Sequence, residues 1–125
     1  MTTILLIDDD PDVRTVMSRL LQKQGYGVET ASRREDALAR LEEGLPSLIL
    51  LDVLLSGYDG REFCRELKAS PSTGHIPVIM FSGHPGAALQ FEIYGADDFL
   101  TKPFNTDVLL EKLTRHLRIT PESKS

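Results

Sequence analysis

A chain of 125 residues, 41% hydrophobic and 26% charged, has the make-up of one soluble globular domain, long enough for a single core and too short for two. Its 14 Lys and Arg against 19 Asp and Glu leave a net charge of −5, the wrong sign for nonspecific attraction to nucleic acid, so direct nucleic-acid binding by this domain is not expected. No apolar run approaches the roughly 18 residues of a membrane span, and the lone Cys64, with His75, His84 and His116 scattered, forms neither an internal disulfide nor a soft-metal ligand set.

The start, "MTTILLIDDD", lacks the basic and long apolar regions of a signal peptide, so the expected location is cytoplasmic. "TILLI" predicts a first strand. Val13, Val16, Met17, Leu20 and Leu21 are then spaced as one helix face, with Pro11 suited to the first turn and Gly25 to the stop. "YGVETA" predicts a second strand, and Ser32 with Glu35 three residues on predicts a capping box before Ala37, Leu38 and Leu41. Gly44 and Pro46 end that helix. "SLILLDV" is a continuous apolar run ending in Asp52, followed by the loop "LLSGYDG" and a helix carrying Phe63 and Leu67. "IPVIMFS" predicts the fourth strand, "AALQFEIYG" a short fourth helix, "DFLTK" the fifth strand, and "DVLLEKLTRHL" a final amphipathic helix. The result is an α/β protein of five βα units, with residues 1–118 as the domain and 119–125 a polar tail or linker.

Asp8, Asp9 and Asp10 stand together where the first strand ends, and adjacent carboxylates repel unless solvent or a cation relieves them. In open α/β sheets ligands bind beyond the carboxyl ends of the strands. That rule gathers Asp8 and Asp9 from the first strand, Asp52 from the third, Ser82 from the fourth and Lys102 from the fifth into one crevice. Three carboxylates beside one ammonium call for a hard, oxygen-bound divalent cation such as Mg²⁺. Asp10 and Asp12 read instead as a helix cap and a first-turn charge, and Asp97 and Asp98 as a solvated turn.

At the strand ends, "LIDDDP", "LLDVLLSGYDG", "PVIMFSG" and "GADDFLTKPF", in that order, resemble the CheY-like receiver domain of two-component response regulators over residues 3 to about 118. The resemblance implies the flavodoxin-like strand order 2-1-3-4-5 of a doubly wound parallel sheet. It implies that Asp8 and Asp9 bind Mg²⁺ with Asp52 and the backbone carbonyl of Leu54, and that Asp52 is phosphorylated. It makes Lys102 the contact to the phosphoryl group, Ser82 its hydroxyl partner and Phe99, which would move inward, the aromatic switch. The implied donor is a phosphohistidine on a sensor histidine kinase or a histidine phosphotransfer protein, and the output is an altered surface around helix four and strand five, read by a downstream protein. An ordinary Asp titrates near 3.9, so Asp52 is expected to be ionised at neutral pH and to need no general base. "TKPF" places Lys102 where the family has a cis Lys-Pro bond, whereas an X-Pro bond taken alone is expected trans.

Ser56 and Tyr58 depart from the family pattern and predict a softer loop, and the segment between Ser82 and Lys102 is about two residues short, predicting a short or irregular fourth helix. His84, two residues after Ser82, reads as an ordinary loop histidine or as a residue tuning water access, and Cys64 as a small core residue. The fourth helical segment carries no Lys or Arg, so a monomer is expected in the unphosphorylated state. Two other function classes stay open: a pseudo-receiver acting as an unphosphorylated interaction module, and a flavodoxin-like cofactor binder. The acidic first turn would repel a flavin phosphate.

Overall fold

In a computed structural model, residues 2–55, 57–83, 86, 92–103 and 105–117 are described. Five strands, β1 (Thr3–Ile7), β2 (Gly27–Ala31), β3 (Leu48–Asp52), β4 (Val78–Ser82) and β5 (Asp98–Thr101), form one parallel sheet in the order β2-β1-β3-β4-β5. Four helices lie among the described residues: α1 (Pro11–Lys23), α2 (Arg34–Glu43), α3 (Gly60–Ala69) and α4 (Thr106–Leu117). A short antiparallel hairpin, Leu54–Leu55 with Tyr58–Asp59, sits between β3 and α3. The expected fold class and strand order are both present.

Successive side chains of a strand point to opposite faces, which divides the core in two. Leu5, Ile7, Ile49, Leu51 and Met80 meet Ala37 and Leu41 of α2 and Phe63 and Leu67 of α3 on one face. Ile4, Leu6, Leu50, Ile79 and Phe81 meet Met17 and Leu21 of α1 and Leu109 and Leu113 of α4 on the other. Coverage on both faces is why β3 and β4 read as unbroken apolar runs and are buried throughout. None of the described helices is long and apolar enough to cross a membrane.

Local chemistry sets the helix ends. Asp10 caps α1 by accepting the amide of Asp12, Pro11 occupies the first turn, and Gly25 follows the helix at φ +95, a conformation glycine adopts without strain. The predicted capping box at α2 does not form. Arg33 is the N-cap and its side chain makes no capping hydrogen bond, and the Ser32 hydroxyl goes to Asp36 at 2.7 Å instead of to the helix amides. Residues 92–94 make a single 3₁₀ turn whose Tyr94 ring lies under Arg65 and Arg61 of α3, 4.7 and 5.6 Å from its centroid. The rest of the predicted fourth helix, together with Ser56, His84 and the tail from 118, lies outside the described residues.

Candidate functional site

Parallel register assembles the site. Ile7 pairs with Leu51, Asp52 with Phe81, and Ser82 with Thr101, so each strand ends one residue from its neighbour's polar terminus. The ladder continues past the strands through the Asp8 amide to the Ala31 carbonyl, the Val53 amide to Phe81, and the Lys102 amide to Ser82. Asp8, Asp52, Ser82 and Lys102 are thus delivered to one end of the sheet by the apolar runs before them.

One oxygen from each of Asp8, Asp9 and Asp52 lies within 4.8 Å of the others. Asp8 is fully buried; its Oδ1 accepts the Asp10 amide at 2.9 Å and its Oδ2 the Lys102 ammonium at 3.2 Å. Lys102 also stands 3.7 Å from Asp52 Oδ1, with its ammonium 4.7 Å from the Phe81 ring centroid. A cluster of oxygen donors with a net negative balance fits a hard dication such as Mg²⁺. The Leu54 amide donates to Asp52 Oδ1 at 3.3 Å, and the Leu54 side chain is 53% exposed on the hairpin.

Asp52 does not behave as the ordinary carboxylate expected from sequence. It is only 6% exposed, and burial together with the charge of Asp8 pushes its pKa up to about 7, against the pull of Lys102 and the Leu54 amide. Without a cation Asp52 is therefore only partly ionised near neutrality.

Ser82 is buried at the end of β4. Phe99 is likewise buried within the β5 core and already inward, so any change at this ring is a rearrangement inside the core, not burial of an exposed side chain. The Lys102–Pro103 bond is cis, as the family resemblance implies and contrary to the expectation for an isolated X-Pro bond.

Gly60, to which the sequence motif alone gives no role, is a further site residue. It opens α3 just after the cap Asp59, and its amide donates to the Val53 carbonyl at 2.7 Å. A Cβ here would overlap the carbonyl oxygen of Asp52 and lie 2.8 Å from that of Val53. Gly60→Ala must displace the end of β3, and a loss of about 1–3 kcal/mol is expected in denaturant unfolding. An unchanged unfolding midpoint would show that the helix start gives way more easily than this packing requires.

Other expectations are corrected. Asp97 accepts the Val78 amide and pairs with Lys68, both at 2.8 Å, while Asp98 belongs to β5 and binds Lys112 at 2.8 Å and His116 at 2.9 Å. Burial pushes Asp98 up, but the bonds from Lys112 and His116 outweigh it and hold the carboxyl below its ordinary value. Asp98 is thus a half-buried tie between β5 and α4 and not part of a solvated turn, whereas Asp97 stands exposed in the bend before β5, as expected, and is anchored there by Lys68 and the Val78 amide. Tyr58 is also well anchored, edge-on to Phe63 and beneath the Arg34 guanidinium, which pairs with Glu66 at 2.9 Å. These contacts fix the Tyr58 ring against α2 and α3. Burial raises the Cys64 thiol to about 11, in keeping with a core residue and not a reactive thiol.

Comparison with known proteins places these features in context. A family model described as the response regulator receiver domain matches residues 4–114. The phosphate regulon transcriptional regulatory protein PhoB of Rhizobium meliloti is 34% identical over 117 residues, covering 92% of this chain and 52% of that protein. The response regulator PleD of Caulobacter vibrioides is 42% identical over 117 residues, covering 91% of this chain and 25% of PleD. The chain thus spans about half, or less, of the length of these relatives. Among solved structures, the receiver domain of NtrX from Brucella abortus superposes with a TM-score of 0.86 at 34% identity, covering 94% of this chain and 99% of that one. Chemotaxis protein CheY4 of Vibrio cholerae gives 0.84 at 32% identity, with 92% and 98% coverage.

Proposed function

The chain belongs to the response regulator receiver domain family, whose members are signalling phosphoacceptors of two-component systems, and from that premise we propose that Asp52 accepts a phosphoryl group from the phosphohistidine of a sensor histidine kinase or a histidine phosphotransfer protein. The observation that carries this reading is the meeting of Asp8, Asp9 and Asp52 oxygens within 4.8 Å beside the Lys102 ammonium. Asp8, Asp9, Asp52 and the Leu54 carbonyl are the proposed holders of Mg²⁺, which supplies charge neutralisation to phosphoryl oxygens when bound.

The chain's own residues supply position and charge. An Asp52 oxygen bonds to phosphorus as the P–N bond to the donor imidazole breaks; the departing nitrogen keeps the electron pair, and an acyl phosphate forms. Lys102 favours the ionised nucleophile before transfer and pairs with the phosphoryl oxygens after it, while the Ser82 hydroxyl hydrogen-bonds the same group. Reset is hydrolysis: water attacks phosphorus, inorganic phosphate leaves, and the Asp52 carboxylate returns.

The added charge and acceptor oxygens bias the packing around Ser82, Phe99 and β5, and a downstream protein reads the altered surface through unequal affinity for the two forms. Incubation with Mg²⁺ and acetyl phosphate, followed by intact mass and peptide mapping, is expected to give one phosphoryl adduct, on Asp52 and dependent on the metal. If neither acetyl phosphate nor a phosphorylated histidine phosphotransfer protein yields an adduct, the phosphoacceptor assignment fails.

A further inference from the structure

Beyond the residues that the phosphoacceptor reading uses, Arg14 of α1 makes a contact with a consequence for the metal ligands. Its Nη1 donates to the backbone carbonyl of Asp8 at 2.7 Å. In a parallel ladder an amide bonded to one residue's carbonyl is answered two residues further along the neighbouring strand. The Asp8 amide bonds the Ala31 carbonyl, so the matching donor for the Asp8 carbonyl would be the amide of Arg33. But β2 ends at Ala31, and Arg33 has left the sheet to become the N-cap of α2. The Arg14 guanidinium takes the vacated place.

The carbonyl it holds belongs to the peptide joining Asp8 to Asp9. Fixing the plane of that peptide sets the direction in which the Asp9 side chain leaves the backbone. Asp8 has other anchors, since its amide, Oδ1 and Oδ2 are bonded to Ala31, Asp10 and Lys102. Asp9 is exposed at the turn, and its carboxylate is one of the three converging oxygens. We propose that Arg14 is a positioning residue that aims the Asp9 carboxylate into the cation site by holding the Asp8 carbonyl. This inference rests on the Mg²⁺ site of the phosphoacceptor reading and concerns only how one ligand is aimed.

The sign of the effect separates positioning from charge. A guanidinium acting through its charge alone would repel a cation, so its removal would tighten Mg²⁺ binding. Loss of a group that orients a ligand weakens binding, commonly by 10- to 100-fold for such outer partners. The test is calorimetric titration of Mg²⁺ into the full chain without phosphodonor, comparing wild type with Arg14→Met, Arg14→Gln and Arg14→Lys. Arg14→Met is expected to weaken Mg²⁺ by about tenfold. Arg14→Lys, long enough to offer one donor, is expected to recover part of that loss, and the rate of Asp52 phosphorylation at saturating Mg²⁺ is expected to stay at the wild-type value. Unchanged or tighter Mg²⁺ binding in Arg14→Met, or in Arg14→Gln should the Met variant not fold, overturns the proposal. So does a fall in melting temperature with no change in Mg²⁺ affinity, which would mark a purely structural contact. If wild type itself takes up no Mg²⁺, the cation site of the parent reading fails first, a result the wild-type titration registers separately.

Discussion

Asp52→Asn is expected to abolish phosphorylation while making the metal-free chain more stable at pH 8. The first effect follows from removing the only oxygen nucleophile assigned to the reaction. The second follows from the pKa of Asp52, raised from 3.8 to about 7 by burial and by Asp8. A carboxyl whose folded pKa exceeds its unfolded one holds more protons in the native state between about pH 4 and 7, so stability falls as pH rises through that window. Above pH 7 the full penalty of a buried, like-charged neighbour is present, and below pH 4 it vanishes. Its upper bound is about 4 kcal/mol, the free energy of moving one carboxyl from 3.8 to about 7. Asparagine keeps the shape and an acceptor for the Leu54 amide but carries no charge. Thermal melts in EDTA should show the variant ahead of wild type at pH 8, with the gap closing toward pH 4. A cation that binds ionised Asp52 must also displace its proton, so wild-type Mg²⁺ affinity should climb as pH approaches 7 and then level off. A variant that melts lower at pH 8, or that still carries an acyl phosphate, contradicts these assignments.

The site could be read from sequence because a parallel sheet aligns the ends of its strands. Each apolar run announced a strand, and the polar residue after it had to emerge at the same edge as its neighbours. Asp8, Asp52, Ser82 and Lys102 needed nothing more than that counting. What stayed hidden was whatever depended on a partner distant in the chain or on a backbone atom. The Asp8 carbonyl that Arg14 holds has no side-chain signature. Asp97 and Asp98 look like turn residues beside Gly95 until Lys68, Lys112 and His116 arrive from two helices. The raised pKa of Asp52 belongs to the same class, because its neighbour Asp8 lies 44 positions away and acts across two strands. At α2 the failure was local: Ser32 and Glu35 have the right spacing for a capping box, but the helix starts one residue later and Ser32 finds Asp36.

Replacement of Lys102 should separate metal binding from phosphoryl transfer. The ammonium lies 3.2 Å from Asp8 and 3.7 Å from Asp52, and it is the charge that lowers the pKa of Asp52. In Lys102→Ala two buried carboxylates face each other uncompensated. The pKa of Asp52 should rise further, and the metal-free chain should lose about 1–3 kcal/mol at pH 8, less than for a fully buried pair because the Lys102 side chain is partly open to solvent. A dication entering this variant no longer competes with an ammonium, so Mg²⁺ should bind at least as tightly as in wild type and restore much of the lost stability. Transfer should still slow by about 10²- to 10³-fold even at saturating Mg²⁺, the usual loss when one preorganised donor to a charged transition state is removed. Calorimetry with Mg²⁺ and a time course of adduct formation measure the two effects separately. If Mg²⁺ binding is lost together with transfer, Lys102 is needed to build the carboxylate cluster itself; if transfer stays near wild type, the phosphoryl contact must come from elsewhere.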